Sequence, residues 1–330
     1  MSRRPRSNAA KPSASRSAGK DVQPELAVVV LAVKAPGELV EAVRSLVFQT
    51  VPLEIVVVSS GGRGAAALLD RERLPVKVIE RDELLFPGAA RSVGIQATKA
   101  PYVAFLASDC LAAPHWAEER IVAHRAGSSA VASAVLNSDP KSVVAWAGHL
   151  ALFARRMPIV SPEEALAYGA SYDRILFERH GLFSETLRIG EDTEFHARLP
   201  AADRPVWAPA VQTVHRTPTR LHELLQDQFG RGVRAGVEWG YLRRSSVRAV
   251  AKAWRYRAAD PMRIAKRMQA DPHYRYIRAA RFLLPFTSAA YCLGALATRF
   301  AMMRAVVARY APAAIRSVSS GSPPEQGMRE

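Results

Sequence analysis

The sequence predicts an α/β fold with a largely parallel, doubly wound sheet, followed by a basic helical region. Continuous β-branched runs occur at residues 26–33 and 53–60, and segments with apolar residues at helical spacing separate the strand patterns. This alternation is typical of a parallel sheet covered by helices on both faces. Ligands of such sheets bind beyond the carboxyl ends of the strands, where Ser59, Glu80 and Asp109 fall.

The remaining elements follow from local patterns in chain order. Strands are predicted at 26–33, 53–60, 76–81, 102–108, 129–136 and 205–216, and helices at 37–49, 64–72, 88–99, 115–127, 140–157 and 190–200. Residues 171–185 begin as a strand and turn into a helix, and a long basic helical region follows from about Pro218 to Arg257.

The chain has 330 residues and a formal charge of +16, and the excess positive charge lies at its two ends. Residues 1–20 carry +6, residues 21–214 carry −4 and residues 215–330 carry +14. No nucleic-acid-binding motif accompanies this charge, so we expect no nucleic-acid partner and favour an anionic membrane surface. Residues 1–22 lack apolar periodicity and are predicted to be a disordered basic tail, as is the C-terminus from about residue 317.

An uncharged stretch near the C-terminus predicts contact with a membrane. Residues 282–298 are apolar but fall short of the roughly 20 residues of a spanning helix, and they contain Pro285 and Gly294. The basic, amphipathic sequence that follows favours an interfacial helix or hairpin over residues 282–310, with a spanning helix and a soluble bundle as alternatives. Aromatic residues of the basic region 216–281 also suit a membrane interface: Trp239, Tyr241, Trp254 and Tyr256.

Two cysteines, Cys110 and Cys292, lie far apart in the sequence, without the spacing of a metal site or a disulfide framework. A reducing, cytoplasmic setting is therefore expected.

A glycine-rich turn offers one functional hypothesis. Gly62-x-Gly64-x-x-Ala67 follows a strand and opens a helix, and Glu80 lies where a ribose-binding acid would be expected. This pattern makes an NAD(P)-dependent oxidoreductase an alternative. It follows the second strand of the domain rather than the first, however, and tight strand–helix junctions often use glycine and alanine.

Three longer segments occur in a fixed order: "SLVFQTVPLEIVVVSS", "FPGAARSVGIQATKAPYVAFLASDC" and "GLFSETLRIGEDTEFHARL". Together they resemble the family-2 glycosyltransferases of the GT-A fold, whose pattern includes "SLLxQ", "EIIVVDDGS", "GxxxARNxGIxxAxGxYIxFLDxDD" and a later "GED". The resemblance covers residues 26–216. It implies an enzyme with a GT-A domain at residues 23–216, followed by a basic helical region at 217–330.

The resemblance also implies a donor-binding site. Asp109 falls on the aspartate that contacts the metal in the family, while Ala107 replaces the first acid of that pair and Ser108 lies between them. Arg91 matches the arginine that approaches the donor. Ser59 stands where the family has the aspartate that reads the nucleobase. These departures leave the nucleotide identity and the strength of metal binding open.

On the acceptor side, Asp192 matches the catalytic base of the family, and Glu191 beside it is expected to share this role or to orient the acceptor. His215 closes the last strand, where relatives often carry a histidine near the metal. Asp109 and His215 are therefore predicted to hold Mn²⁺ or Mg²⁺. Gly181 is expected to permit the turn that positions the acceptor wall.

Each of these residues also has a purely structural alternative. Asp109 would then cap the helix that begins near Pro114 or turn the strand end, and Asp192 would be an acid at a helix N-terminus. Arg91 would lie on a solvated helix face, and His215 would be a structural histidine. Trp207 either stacks on a sugar or fills the core.

The resemblance implies a glycosyltransferase that moves a sugar from a nucleotide-sugar donor to a glycan or lipid-linked acceptor by metal-assisted inverting displacement. The expected setting is polysaccharide or glycolipid biosynthesis at the cytoplasmic face of the inner membrane, with the protein peripheral or shallowly anchored. A non-catalytic scaffold of the same fold is the main alternative, because Ser59 and Ala107 would also suit a degenerate donor site.

Overall fold

The computed structural model describes residues 23–238 and 247–310, which form one sheet with helices on both faces. Its strands are β1 (Leu26–Val33), β2 (Leu53–Ser60), β3 (Lys77–Arg81), β4 (Tyr102–Ala107), β5 (Cys110–Ala112), β6 (Ala130–Asn137), β7 (Ser171–Asp173) and β8 (Val206–His215). Its helices are α1 (Leu39–Val47), α2 (Ala65–Arg71), α3 (Pro87–Gln96), α4 (Trp116–Arg125), α5 (Val143–Phe153), α6 (Ile175–His180), α7 (Glu191–Arg198), α8 (Leu221–Glu238), α9 (Val247–Arg267), α10 (Tyr274–Ala280) and α11 (Leu284–Tyr310).

Some predictions fall outside the described part of the chain. These are the two tails, at 1–22 and beyond about 317, together with the aromatic side chains of Trp239, Tyr241, Trp254 and Tyr256.

The strand order confirms the predicted α/β fold class. The eight strands form one sheet in the order β3-β2-β1-β4-β7-β6-β8-β5. The pairs β3–β2, β2–β1 and β1–β4 are parallel, as the alternation of strands and helices predicts, so the carboxyl ends of β1, β2 and β4 lie at one edge. The second half is mixed, because β7 and β5 pair antiparallel with their neighbours while β6 and β8 are parallel.

Apolar residues at strand and helix spacing produce a core on each face of the sheet. Helix α1 buries Leu39, Val43 and Leu46, which recur every three or four residues and therefore share one face. Helix α3 packs on the opposite face, where Gly94 lies so close to β1 that a Cβ there would be 2.2 Å from Val29 Cγ1. Helices thus cover both faces of the sheet, and the carboxyl ends of its parallel strands remain accessible to a ligand.

The C-terminal helices pack against the rest of the chain through α5. Trp146 and Leu150 of α5 share one buried cluster with Ile264, Ile277 and Leu284 from α9, α10 and the start of α11. The basic C-terminal region therefore has an apolar face of its own, which the charge count alone does not indicate.

Helices α8 and α11 approach each other through glycines. A Cβ on Gly232 would lie 2.0 Å from the carbonyl oxygen of Tyr291, and one on Gly294 would lie 2.1 Å from that of Phe229. Gly294 therefore permits close packing inside α11 rather than interrupting it. Pro285 occupies the first turn of the same helix, where its missing N–H costs nothing.

The uncharged C-terminal stretch forms part of a bent pair of helices. Within the described residues, no single helix combines the length and apolarity needed to cross a membrane. Tyr274–Ala280 and Leu284–Thr298 meet that criterion only together, with a bend of 47° between them. Whether the predicted segment 282–310 associates with a membrane stays a prediction.

Candidate active site

The pairing of two short strand segments creates a cluster of potential metal ligands. Strands β5 and β8 are antiparallel, and their register places Cys110 opposite His215. Asp109 precedes β5, so its carboxylate lies 3.5 Å from Nε2 of His215. The ligand atoms of Asp109, Cys110 and His215 all lie within 4.8 Å of one another. A carboxylate, a thiol and an imidazole at this separation fit a divalent cation.

The charge of Asp109 is stabilised by its neighbours. Burial by itself raises the pKa of this carboxyl group, but hydrogen bonds from His215 and Cys110 and the charge of Arg231 lower it below its usual value. Asp109 is therefore ionised at neutral pH. No helix amide is bound to its carboxylate among the described residues, so the structure does not support the alternative of a helix cap.

On the opposite wall, Arg91 is held by Glu191. The guanidinium of Arg91 lies 3.0 Å from Oε1 of Glu191 and rests against the rings of Phe105 and Phe183. Gly88 makes this pairing possible, because a Cβ there would lie 1.9 Å from the carbonyl oxygen of Ser184, in the segment that leads into α7. Arg91 is therefore fixed by an ion pair rather than spread over a solvated helix face.

Asp192 occupies the first turn of α7, which begins after Gly190 in a left-handed conformation with φ of 82°. One carboxylate oxygen accepts a hydrogen bond from the backbone N–H of Thr193 at 2.8 Å. The side chain also lines the pocket that contains Asp109 and His215. Asp192 therefore binds a backbone amide at the start of α7 and is also accessible from the pocket.

One pocket of about 370 Å³ collects most of the predicted site residues. Those that line it are Arg91, Ala107, Asp109, Asp192 and His215. Three others do not line it. Ser59 is fully buried, because the last five residues of β2 are covered on both faces, and its hydroxyl has no hydrogen-bond partner among the described residues. Ser108 does not line the pocket. Glu191 does not line it either, but it forms an ion pair with the pocket residue Arg91.

Among the pocket residues that the sequence did not indicate as site residues are Cys110, Arg156 and Arg231. Cys110 is adjacent to a predicted ligand, but only the β5–β8 register brings it to His215. Arg156 lies on a one-turn 3₁₀ helix after α5, and Arg231 on α8. No local pattern distinguishes these two from the other arginines of the chain.

Two residues outside the pocket have clear structural roles. Gly181 ends α6 with φ of 76°, as its predicted turn requires. Trp207 donates a hydrogen bond from Nε1 to the carbonyl oxygen of Val160 at 3.1 Å, so its indole is tied into the fold.

The glycine-rich turn does not offer a dinucleotide site in this structure. Oε1 of Glu80 accepts hydrogen bonds from the N–H groups of Gly64, Ala65 and Ala66 at 2.7, 2.7 and 3.3 Å. These amides at the start of α2 are the ones that a pyrophosphate would need. The proposed ribose-binding acid is thus a helix cap, which removes the basis of the oxidoreductase hypothesis.

The sheet order and the pocket beyond the carboxyl ends of its parallel strands are those of the GT-A fold, and one solved structure agrees. A mannosyltransferase of Pyrobaculum calidifontis, PcManGT, described as a complex with GDP-Man and Mn²⁺, matches with a TM-score of 0.53 and 18% identity over 85% of this chain and 88% of its own. Residues 1–349 of S. aureus TarS match with a TM-score of 0.48 and 15% identity over 84% and 92% of the two chains. No curated protein matches the sequence.

A family model matches the first part of the chain. Residues 27–181 match Glycosyl transferase family 2. The match contains most of β1, all of β2 to β7, Arg91 and Asp109, whereas Asp192 and His215 lie beyond it. This match and the GT-A fold together confirm the resemblance found in the sequence and its consequence that the protein is a glycosyltransferase.

Proposed function

We propose that this protein transfers a sugar from a nucleotide-sugar donor to a glycan or lipid-linked acceptor, with inversion at the anomeric carbon and the help of a divalent cation. The observation that carries the proposal is the pocket in which Asp192 faces Asp109 and His215. Its walls combine the carboxylate of Asp192, a set of candidate metal ligands and guanidinium groups. Transfer from a nucleoside diphosphate needs a base for the acceptor and positive charge for the leaving group.

In the proposed reaction, Asp192 accepts the proton of the acceptor hydroxyl as its oxygen attacks the anomeric carbon. The bond between that carbon and the diphosphate oxygen breaks on the opposite face, which inverts the configuration. Asp109 and His215, with Cys110 beside them, would hold Mn²⁺ or Mg²⁺, which offsets charge on the diphosphate. The complex of PcManGT with GDP-Man and Mn²⁺ supports a donor and a cation of these classes.

Glu191 supports the site rather than sharing the base role in this proposal. Its carboxylate is buried and engaged by Arg91 at 3.0 Å, so it orients the guanidinium. Arg91 in turn approaches the donor, because permanently charged guanidinium groups bind phosphate oxygens in pairs.

Calorimetric titration with a panel of UDP-, GDP-, CDP-, dTDP- and ADP-sugars in the presence of Mn²⁺ tests this function. We expect one nucleotide class to bind, and removal of the metal with EDTA to weaken its affinity by at least about tenfold, because the cation offsets the charge of the diphosphate. Asp109→Asn should reproduce much of the effect of EDTA. Binding of no sugar nucleotide at all would favour the non-catalytic scaffold.

We further propose that the protein works at the cytoplasmic face of the inner membrane. Phe282 and Phe286 are 78% and 62% exposed at the junction of α10 and α11. The cationic residues Arg275, Arg278 and Arg281 precede them. Exposed aromatic side chains beside arginines suit the interface of an anionic bilayer. A polysaccharide or glycolipid intermediate with a lipid anchor would be accessible there.

Replacing both Phe282 and Phe286 by serine in the full chain is expected to abolish most flotation with liposomes that contain anionic lipid. The apolar contribution to binding would be lost while the arginines stay in place. Phe48→Ser is the matched control, because Phe48 is 76% exposed at the C-terminal end of α1, directly after Val47, and is distant in sequence from this surface. Equal flotation of the wild type and the double variant would contradict the proposed membrane contact.

A further inference from the structure

Arg156 projects a guanidinium into the active-site pocket from a part of the chain that carries no predicted site residue. It ends the one-turn 3₁₀ helix Ala154–Arg156 and lines the pocket together with Asp109 and Asp192. Its Nη2 donates a hydrogen bond to the carbonyl oxygen of Tyr168 at 3.2 Å, and its guanidinium lies 5.6 Å from the ring centre of Phe153. These two contacts fix the side chain but do not neutralise its charge.

The fold makes room for this guanidinium. Gly169 adopts φ of 65°, and a Cβ there would lie 2.3 Å from Nη2 of Arg156. The carbonyl oxygen of Gly169 accepts hydrogen bonds from Nη2 of Arg120 at 2.9 Å and from Oγ of Ser133 at 3.1 Å. Position 169 is therefore held by buried groups in the one conformation that leaves space for Arg156.

The charge of Arg156 lacks the compensation that the other pocket arginines have. Arg91 is paired with Glu191 at 3.0 Å, and Arg231 with Asp227 at 2.7 Å. Among the described residues, no carboxylate lies at salt-bridge distance from Arg156, and its buried Nε has no hydrogen-bond partner. Burial lowers the pKa of Arg156 to about 10, against the charges of Asp192 and Cys110, so the group remains a cation at neutral pH.

An enclosed cation without a counter-ion is unfavourable, and its cost is removed when an anion enters beside it. The neighbours of Arg156 indicate which anion this is. Arg156 lines the same pocket as Asp192 and as the candidate metal ligands Asp109 and His215, which lie on opposite sides of the reaction centre in the proposed function. A group bound there lies near the bond that breaks.

We infer that Arg156 binds a phosphate oxygen of the leaving nucleoside diphosphate, an assignment that rests on the proposed function. As the bond from the anomeric carbon to the diphosphate oxygen breaks, negative charge grows on the leaving oxygen and the guanidinium stabilises it. The electron pair of that bond stays on the diphosphate, and the acceptor proton goes to Asp192. Arg156 thereby supplies positive charge at a site where Ala107 provides no second carboxylate for a metal.

The test compares how tightly the protein binds the diphosphate and the monophosphate of the nucleoside that its preferred donor contains. For Arg156→Gln we expect affinity for the nucleoside diphosphate to fall about tenfold to a hundredfold, because a charge-assisted hydrogen bond is lost. Affinity for the monophosphate should change little. Arg156→Lys keeps the charge without the paired donors and should give an intermediate loss. Arg71→Gln, at an exposed arginine on α2, is the control for loss of one positive charge.

Near-ultraviolet circular dichroism and thermal melting establish that each variant is folded, and Arg156→Lys carries the test if Arg156→Gln is not. An unchanged ratio of diphosphate to monophosphate affinity in a folded variant would overturn the role of Arg156 while leaving the proposed function intact. If the wild-type protein binds no nucleotide of the panel, the proposed function fails, and this assignment fails with it.

Discussion

Replacing Asp192 by asparagine is expected to lower the turnover of sugar transfer by about a hundredfold to ten-thousandfold, the range for loss of a general base. The amide has nearly the same shape as the carboxylate, but it cannot accept the proton of the acceptor hydroxyl. Its hydrogen bond with the N–H of Thr193 can be kept, so the start of α7 should stay intact. Donor affinity should therefore be close to that of the wild type.

The measurement is the rate of donor consumption with the sugar nucleotide that binds, alongside calorimetry of donor binding. Glu185→Gln is a matched control, because Glu185 is an exposed acid in the segment before α7 and does not line the pocket. Full activity of Asp192→Asn would remove Asp192 from the base role. Equal loss of turnover and donor affinity would instead indicate a role in donor binding.

Replacing Arg120 by alanine is expected to destabilise the fold by at least about 3 kcal/mol, because several buried oxygens lose a charged hydrogen-bond donor at once. The guanidinium of Arg120 is fully buried and donates to the carbonyl oxygens of Val131 and Gly169 and to Oγ of Ser171. It also stacks over Trp116 at 4.2 Å. Burial lowers the pKa of Arg120 to about 9, so the side chain is still charged at neutral pH.

Thermal unfolding measures this effect, and the expected loss corresponds to a fall in Tm of at least roughly 4 °C, because the entropy of unfolding is about 2.1 cal/mol/K per residue. Arg125→Ala, on the same helix α4, is the control, because Arg125 pairs with Glu25 at the surface and should shift Tm little. A Tm for Arg120→Ala equal to that of Arg125→Ala would contradict the structural role of Arg120. The variant should also release Gly169, and with it the position of Arg156.

The alternating first half of the fold could be predicted from the sequence because each element there has a local cause. β1 and the middle of β2 are continuous apolar runs, and α1 carries its apolar residues at helical spacing, so neighbouring residues decide the conformation. The predicted strand that turns into a helix at 171–185 is likewise present as β7 and α6. The packing of α5 on the C-terminal helices had no such local cause and was not predicted.

The candidate site was predictable only in part. The family motifs located Arg91, Asp109, Asp192 and His215, and the structure places all four around one pocket. The same motifs implied a donor contact for Ser59, which the structure buries, because both faces of β2 are covered at its carboxyl end. A motif gives the position of a residue in the chain, whereas the exposure of its side chain depends on what packs over the strand.

The sequence by itself determined the fold class, the resemblance to family-2 glycosyltransferases and the order of the acidic motifs, since these depend on residue type and local spacing. Only the tertiary structure decided that Cys110 joins Asp109 and His215, that Glu80 caps α2, and that Arg156 enters the pocket with no carboxylate of the described residues at salt-bridge distance. Each of these contacts joins residues that are distant in the chain or depends on strand register. A register is fixed by the packing of whole elements, and no short stretch of sequence records it.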